Sequence, residues 1–186
     1  MNTNDHNFSE PDERVALRES VAKLAGKYGR EYVERQAASG GKMTEMWLEM
    51  GRTGFLGVNT PEEYGGGGGG MSDLAAVLEE CASAGAPLLM MVVSPAICGS
   101  IINRCGTAAQ KQTWLPAIAD GTHLMAFGIT ESDAGSNSHQ ITTTARRDGD
   151  EWVLNGQKTF ISGVDEAHSV LIVARIEDEK TGKLKP

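Results

Sequence analysis

An α+β fold, with its helices first and its strands second, is predicted by three features of this 186-residue chain. Apolar residues recur at three- and four-residue steps up to about residue 121, which is helical spacing. Beyond that point short β-compatible runs are split by Asp148-Gly149 and Asn155-Gly156, dipeptides that favour hairpin turns because the turn needs positive φ. Helices and strands that occur in separate runs, without alternating, form two segregated blocks.

The first helix opens near Ser9, placed as its cap, with Pro11 in the first turn and Glu10, Asp12 and Glu13 at its positive end. Leu17, Val21, Leu24, Tyr28 and Tyr32 make one apolar stripe, so one long helix is expected. Gly26 and Gly29 each cost about 1 kcal/mol against Ala, enough to bend it. The stretch "TEMWLEMGRTG" is a second helix, capped by Thr44. Ser72 is expected to cap the next, which carries Leu74, Val77, Leu78 and Cys81 on one face. Ser94 and Pro95 open another, running to about Cys105. Thr107 caps the last, in which Pro116 is expected to kink or shorten the helix.

In the second block "HLMAFGIT" reads as a strand, and "ITTTARRDGDEWVLNGQKTFIS" as three strands split by its two hairpin dipeptides. "SVLIVARI", residues 169–176, is so continuously apolar that burial on both faces is expected. "EDEKTGKLKP" at the end reads as a loop leading onward. Four or so strands with an open edge make an incomplete β-domain. The polar start "MNTNDHN" is expected to be disordered.

Composition excludes several classes. A net charge of −8 without a basic cluster argues against a nucleic-acid surface. Cys81, Cys98 and Cys105 fit neither a disulfide framework nor a zinc site, so reduced thiols in a cytoplasmic protein are expected. His6, His123, His139 and His168 lack metal-ligand spacing. The longest apolar run, residues 86–102, is interrupted twice and falls short of the roughly 20 residues that span a bilayer. Trp47, Trp114 and Trp152 are read as core residues, and Arg146-Arg147 as solvated surface.

Six consecutive glycines, Gly65 to Gly70, are the most conspicuous local feature. A Walker-type loop would continue with Lys and Ser or Thr, but Met71-Ser72-Asp73 follows. A dinucleotide fingerprint would follow a strand, but "NTPEEY" precedes. The run is therefore read as a turn between helices, and as an unusually mobile one.

Two other stretches can hold a ligand. "FGITESDAGSN" is a strand end followed by a loop of small polar groups, with Thr130, Ser132, Ser136 and Asn137 offering hydroxyls and an amide. Gly135 allows close backbone approach. A capped turn accounts for this stretch equally well. "KTFISG" can present Phe160 and Ser162 to a flat ligand, or be an ordinary core strand. The residues by themselves show no general-base pair, no nucleophile with a partner histidine, and no metal cluster.

Taken in order, "PEEYGG", "ITESDAGSN" and "DGDEWVLNGQKTFISG" resemble the acyl-CoA dehydrogenase family, the second standing where that family has T-E-P-x-A-G-S-D. The resemblance runs from about residue 10 to the end. It implies a helical N-terminal domain over residues 1–124 and the first part of an antiparallel β-barrel-like middle domain over residues 125–186, with FAD as cofactor. Carried over, Phe127, Ile129 and Thr130 face the flavin, as do Phe160, Ile161 and Ser162, and Ser136 reaches the acyl-CoA. Ser132, Asn137, Phe160 and Ser162 depart from the proline, aspartate, tryptophan and threonine common at those places. The implied reaction is α,β-dehydrogenation of an acyl-CoA thioester, with electrons passing to an electron-transfer flavoprotein and the full-length protein a homo-oligomer. The family's glutamate base lies in a C-terminal domain, so no catalytic residue is expected in this chain, which reads as an N-terminal fragment. A flavin oxidase or monooxygenase of the same fold, or a non-catalytic split subunit, are the alternatives.

Overall fold

The structure, a computed structural model, describes residues 9–176. The expected disorder of residues 1–7 and the expected loop of residues 177–186 lie outside the described residues. Among the described residues seven α-helices come first: α1 (Asp12–Ala25), α2 (Gly29–Ser39), α3 (Thr44–Arg52), α4 (Met71–Ser83), α5 (Leu89–Met91), α6 (Ser100–Cys105) and α7 (Ala108–Ala119). Five strands follow: β1 (Met125–Gly128), β2 (Thr144–Asp148), β3 (Glu151–Asn155), β4 (Ser169–Ile172) and β5 (Arg175–Ile176). The expected order of helical block and incomplete β-block is therefore the observed one.

The single long helix expected at the start is two. α1 stops at Ala25, and Gly29, at φ 63°, enters α2 from a left-handed backbone that a helix cannot pass through. The apolar stripe survives the break, because the Tyr28 and Tyr32 rings pack edge to face 4.9 Å apart. Capping differs from expectation at three helices. Pro11, Met43 and Gly70 occupy the cap positions in place of Ser9, Thr44 and Ser72. At α4 it is Asp73 that reaches back, its carboxylate accepting from the Gly70 N–H at 2.8 Å. Thr107 caps α7 as expected, in a reciprocal pair with Gln110. Pro116 lies inside α7, which continues to Ala119.

Ser94 and Pro95 do not start a helix. α5 runs directly into a π-helical stretch, Val92–Gly99, and then into α6. Pro95 has no N–H to donate, and the wider winding lets the chain continue past it. The same stretch seats β1: the Met125 N–H donates to the buried Ser94 hydroxyl at 3.1 Å, and the Cys98 thiol points to the Ala126 carbonyl at 3.6 Å.

The glycine run is knitted into place, contrary to the mobility expected of it. Gly66, Gly67, Gly68 and Gly69 donate to the carbonyls of Pro61, Gly57, Thr60 and Val58 at 2.9 to 3.2 Å. A Cβ on Gly66 would lie 2.1 Å from the Thr60 carbonyl oxygen, so two backbones touch where no side chain fits.

Two cores form. The larger joins α1, α3, α4 and α5 through Val21, Leu24, Trp47, Met50, Val77 and Met91. The smaller gathers Cys98, Ile102, Leu115, Ile118 and Met125. Phe127 packs against both, so β1 is fixed to the helical block along its length. Each fully buried side chain of this size is worth about 1.5–3 kcal/mol.

The strands make two sheets. β1 pairs with β4 in parallel, Met125 opposite Ser169 and Gly128 opposite Ile172. The second sheet has the order β3-β2-β5, with β2–β3 antiparallel and β2–β5 parallel. The hairpin at Asp148-Gly149 forms, with Gly149 at φ 62°. No strand follows Asn155-Gly156 in residues 157–163, because Phe160 turns the chain at φ 57°. Residues 169–176 are two strands, and one edge of them is open: Val170 and Ile172 are 37% and 38% exposed. Trp152 is 53% exposed on β3, so it is not a core residue.

Candidate functional site

The site grows from the C-terminal end of β1. Gly128 closes the ladder, and residues 129–131 run on beside the segment that follows β3. Two hydrogen bonds join the two segments: the Thr159 N–H donates to the Thr130 carbonyl at 2.9 Å, and the Lys158 ammonium to the Ile129 carbonyl at 3.0 Å. The two stretches singled out in the sequence, 127–137 and 158–163, are thus brought side by side.

Beneath this junction sits an ion pair. Glu131 and Lys158 meet at 2.8 Å with side chains 7% and 9% exposed. The same carboxylate accepts the N–H groups of Thr142 and Thr143 at 2.7 and 2.9 Å and both of their hydroxyls. Burial alone would push Glu131 up, but Lys158, Thr143 and Thr142 outweigh it and hold the carboxyl far below the usual carboxylate range. Sequence reading missed both residues as site components. Each lay inside a motif already singled out, and the only further signal was the run of threonines entering β2.

Above the pair, Phe160 stands 93% exposed, the one non-glycine residue at positive φ among the described residues. Left-handed backbone costs an L-residue roughly 1–2 kcal/mol, which the packing of its neighbours must offset. Ile161 turns back toward the sheet and, with Phe160, Leu154, Val170 and Ile172, lines an open apolar cavity of about 390 Å³. Ser162 is exposed. Gly163, at φ 68°, lies so close to α5 that a Cβ there would be 2.3 Å from the Met90 sulfur.

On the other side of Gly163 a second apolar cavity of about 500 Å³ opens between α2, α3 and the start of α5, lined by Val33, Met43, Trp47, Leu48, Leu88 and Leu124. An ion pair between Lys42 and Asp165 ties the α2–α3 connection to the turn after Gly163 at its rim.

The profile of the acyl-CoA dehydrogenase N-terminal domain matches residues 11–122, and that of the middle domain matches residues 126–185. The chain belongs to the acyl-CoA dehydrogenase family. It is 59% identical to acyl-CoA dehydrogenase FadE12 of Mycobacterium tuberculosis over 98% of its own length and 47% of the relative's. A solved structure of glutaryl-coenzyme A dehydrogenase with glutaryl-CoA superposes with a TM-score of 0.84 at 31% identity, covering 95% of this chain and 45% of that one. Butyryl-CoA dehydrogenase of Megasphaera elsdenii superposes with a TM-score of 0.81 at 28% identity, covering 95% and 47%. The chain thus spans about half the length of the relatives it matches.

The residues that the acyl-CoA dehydrogenase resemblance singled out fall into three groups. Ile129, Thr130, Phe160, Ile161 and Ser162 lie on the two adjoining segments. Phe127 is partly buried and packs against both cores. Ser136 is exposed on the loop beyond Ala134, which is itself buried and closes a small bridge with Glu131. Gly135 faces open space.

An isoalloxazine is flat, largely apolar and edged with hydrogen-bonding groups. The exposed Phe160 ring, the Thr130 and Ser162 hydroxyls nearby in the chain, and the open apolar cavity under Ile161 suit such a group. Glu131 places no free charge against it, since both carboxylate oxygens are engaged.

Proposed function

We propose that this chain supplies the flavin-facing and thioester-facing half of an FAD-dependent acyl-CoA dehydrogenase. The observation that carries the reading is Phe160, an aromatic ring held almost wholly in solvent by a left-handed backbone, next in the chain to Thr159, which bonds the Thr130 carbonyl. Exposure alone would be ordinary; it is the left-handed backbone at this ring, a conformation that clusters at ligand-binding turns, that supports a functional role. Phe127, Ile129, Thr130, Phe160, Ile161 and Ser162 hold the cofactor in this reading. When bound, FAD supplies the hydride-accepting chemistry that no side chain has.

The chain's own part is binding and orientation. Ser136 offers a hydroxyl to the acyl-CoA, and the 500 Å³ cavity beside Gly163 has the size and apolar lining to receive an acyl chain. Glu131 does not serve as the base: its oxygens are filled and its affinity for a proton is depressed. The base that removes the α-proton is assigned to a part of the protein outside this chain, which is why the chain alone is expected to be inactive. The dehydrogenase names of FadE12 and the glutaryl- and butyryl-CoA enzymes support an acyl-CoA substrate. Electron delivery to an electron-transfer flavoprotein, assembly as a homo-oligomer and a cytoplasmic location complete the proposal. No helix among the described residues is long and apolar enough to cross a membrane.

The test is a titration of the 186-residue chain with FAD, followed by acyl-CoA and an artificial electron acceptor. Quenching of flavin fluorescence without turnover is expected. Turnover by the chain alone would refute the placement of the base, and an unquenched flavin would remove the cofactor assignment.

A further inference from the structure

The strands that flank the site belong, among the described residues, to two sheets that share no ladder: residues 129–130 follow β1 of the β1–β4 sheet, and residues 158–162 come after β3 of the β3-β2-β5 sheet. At one end β4 passes into β5 through residues 173–174, where the Val173 N–H donates to the Gly128 carbonyl and the Arg175 N–H to the Thr143 carbonyl, both at 2.9 Å. At the site end the two sheets are joined by side-chain and loop contacts. Glu131 follows β1, Thr142 and Thr143 enter β2, and Lys158 follows β3. One carboxylate thus accepts five hydrogen bonds donated from two segments of the other sheet. Lys158 then reaches back to the Ile129 carbonyl, and its neighbour Thr159 bonds Thr130.

We propose that the buried Glu131–Lys158 pair is a positioning device that sets the register between the two sheets, and thereby holds Thr130 against the Phe160–Ser162 turn. The claim rests on the flavin-site reading given above for its functional consequence, although the register itself does not depend on it. The physics favours such a role over mere added stability. Desolvating two ions costs much of what their attraction returns, so a buried pair contributes less to net stability than to choosing one arrangement. Removing either partner leaves the other charged and buried, and the arrangement is lost first at the contacts that pair supports. A misplacement of about 1 Å is enough to spoil a site built from two separate segments.

The experiment compares Glu131→Gln, Lys158→Met and Lys158→Arg in the 186-residue chain by amide hydrogen exchange and by FAD titration. In Glu131→Gln and Lys158→Met the Thr159 amide is expected to exchange at least about tenfold faster, while amides of Leu24 and Val77 in the helical core keep their rates. Lys158→Arg, which retains the charge, keeps Thr159 protected. FAD affinity is expected to fall about tenfold in the first two variants and to recover in the third. Should either charge-removing variant fail to fold, Thr142→Val removes one neutral donor and leaves both charges. It is expected to raise Thr159 exchange by roughly threefold. Unchanged Thr159 protection in the folded variants would overturn the positioning role, as would unaltered FAD affinity in variants whose Thr159 protection is lost. If the unmodified chain does not bind FAD, the cofactor reading fails, and exchange at Thr159 alone decides the register claim.

Discussion

His123 and His168 lie with ring centroids 5.2 Å apart where the helical block meets the two parallel strands. His168 accepts the Leu124 N–H on Nδ1 at 3.0 Å, and His123 Nε2 meets the Ser169 hydroxyl at 2.8 Å. Trp114 of α7 covers the His123 ring from the other side. His168 Nδ1 is thus the accepting nitrogen of its ring in this arrangement.

Burial first, and His168 second, lower the affinity of His123 for a proton below its ordinary value of 6.5. A base that binds its proton less well when folded stabilises the fold in full above the unfolded value, and loses that contribution as pH falls through the folded one. The thermal midpoint is therefore expected to drop as pH is lowered from 7.5 toward 5.5 (about one unit either side of the unfolded value). A His123→Phe variant, which keeps the ring and loses the titration, should show a flatter profile in the same melting series. Glu131 has a separate window: its contribution is held above 4.5 and lost below it, so Glu131→Gln should flatten only the acid limb.

Phe160→Gly relieves the left-handed backbone and removes an exposed ring. A gain of about 1 kcal/mol in stability is expected, since glycine adopts positive φ without steric cost. FAD binding should weaken in the same variant. A higher midpoint in chemical denaturation together with poorer flavin quenching would identify Phe160 as a strained functional residue. A lower midpoint would show that its packing outweighs the strain.

The glycine run should be unequal in tolerance. Gly66→Ala forces a Cβ onto the Thr60 carbonyl and is expected to cost about 2 kcal/mol or more, within the range for overpacking. Gly70, at φ −105° and capping α4, has only the Asp73 carboxylate within 4 Å of its added Cβ. Gly70→Ser should leave stability unchanged or slightly raised, because serine is a favoured cap. Urea denaturation of the two variants separates the positions.

Thiol reactivity should divide the cysteines. Burial, with the Glu80 charge second, pushes the Cys81 thiol up to about 11, and burial pushes Cys98 up to about 12. Cys105 is exposed. A chromogenic disulfide reagent at pH 8 should modify Cys105 rapidly because it can be reached, and the other two, buried and held as thiols, only on unfolding.

Much of the helical block was legible because its signals are local. Thr107 and Gln110 cap each other three residues apart, and Val21 and Leu24 lie on one face of one helix. Signals were misread where distant contacts override local preference. Thr159, Phe160 and Ile161 favour a strand by type, yet Thr159 is drawn to Thr130 and Phe160 is forced to positive φ. Ser94 and Pro95 look like a helix start, but β1 takes the Ser94 hydroxyl and the helix passes through in a wider winding. Glu131 and Lys158 are 27 residues apart, and nothing in either neighbourhood announces a pair that depends on two sheets meeting.

The parallel pairing of β1 with β4 also sets an order of assembly. Met125 cannot find Ser169 until all of residues 126–168 have been made and folded back, and such a closure is entropically expensive. The helices and the β2–β3 hairpin, whose contacts close over shorter stretches, can form while β1 still offers an unpaired edge. An unpaired β1 edge of this kind is one that another chain can pair with, and β4 covers it.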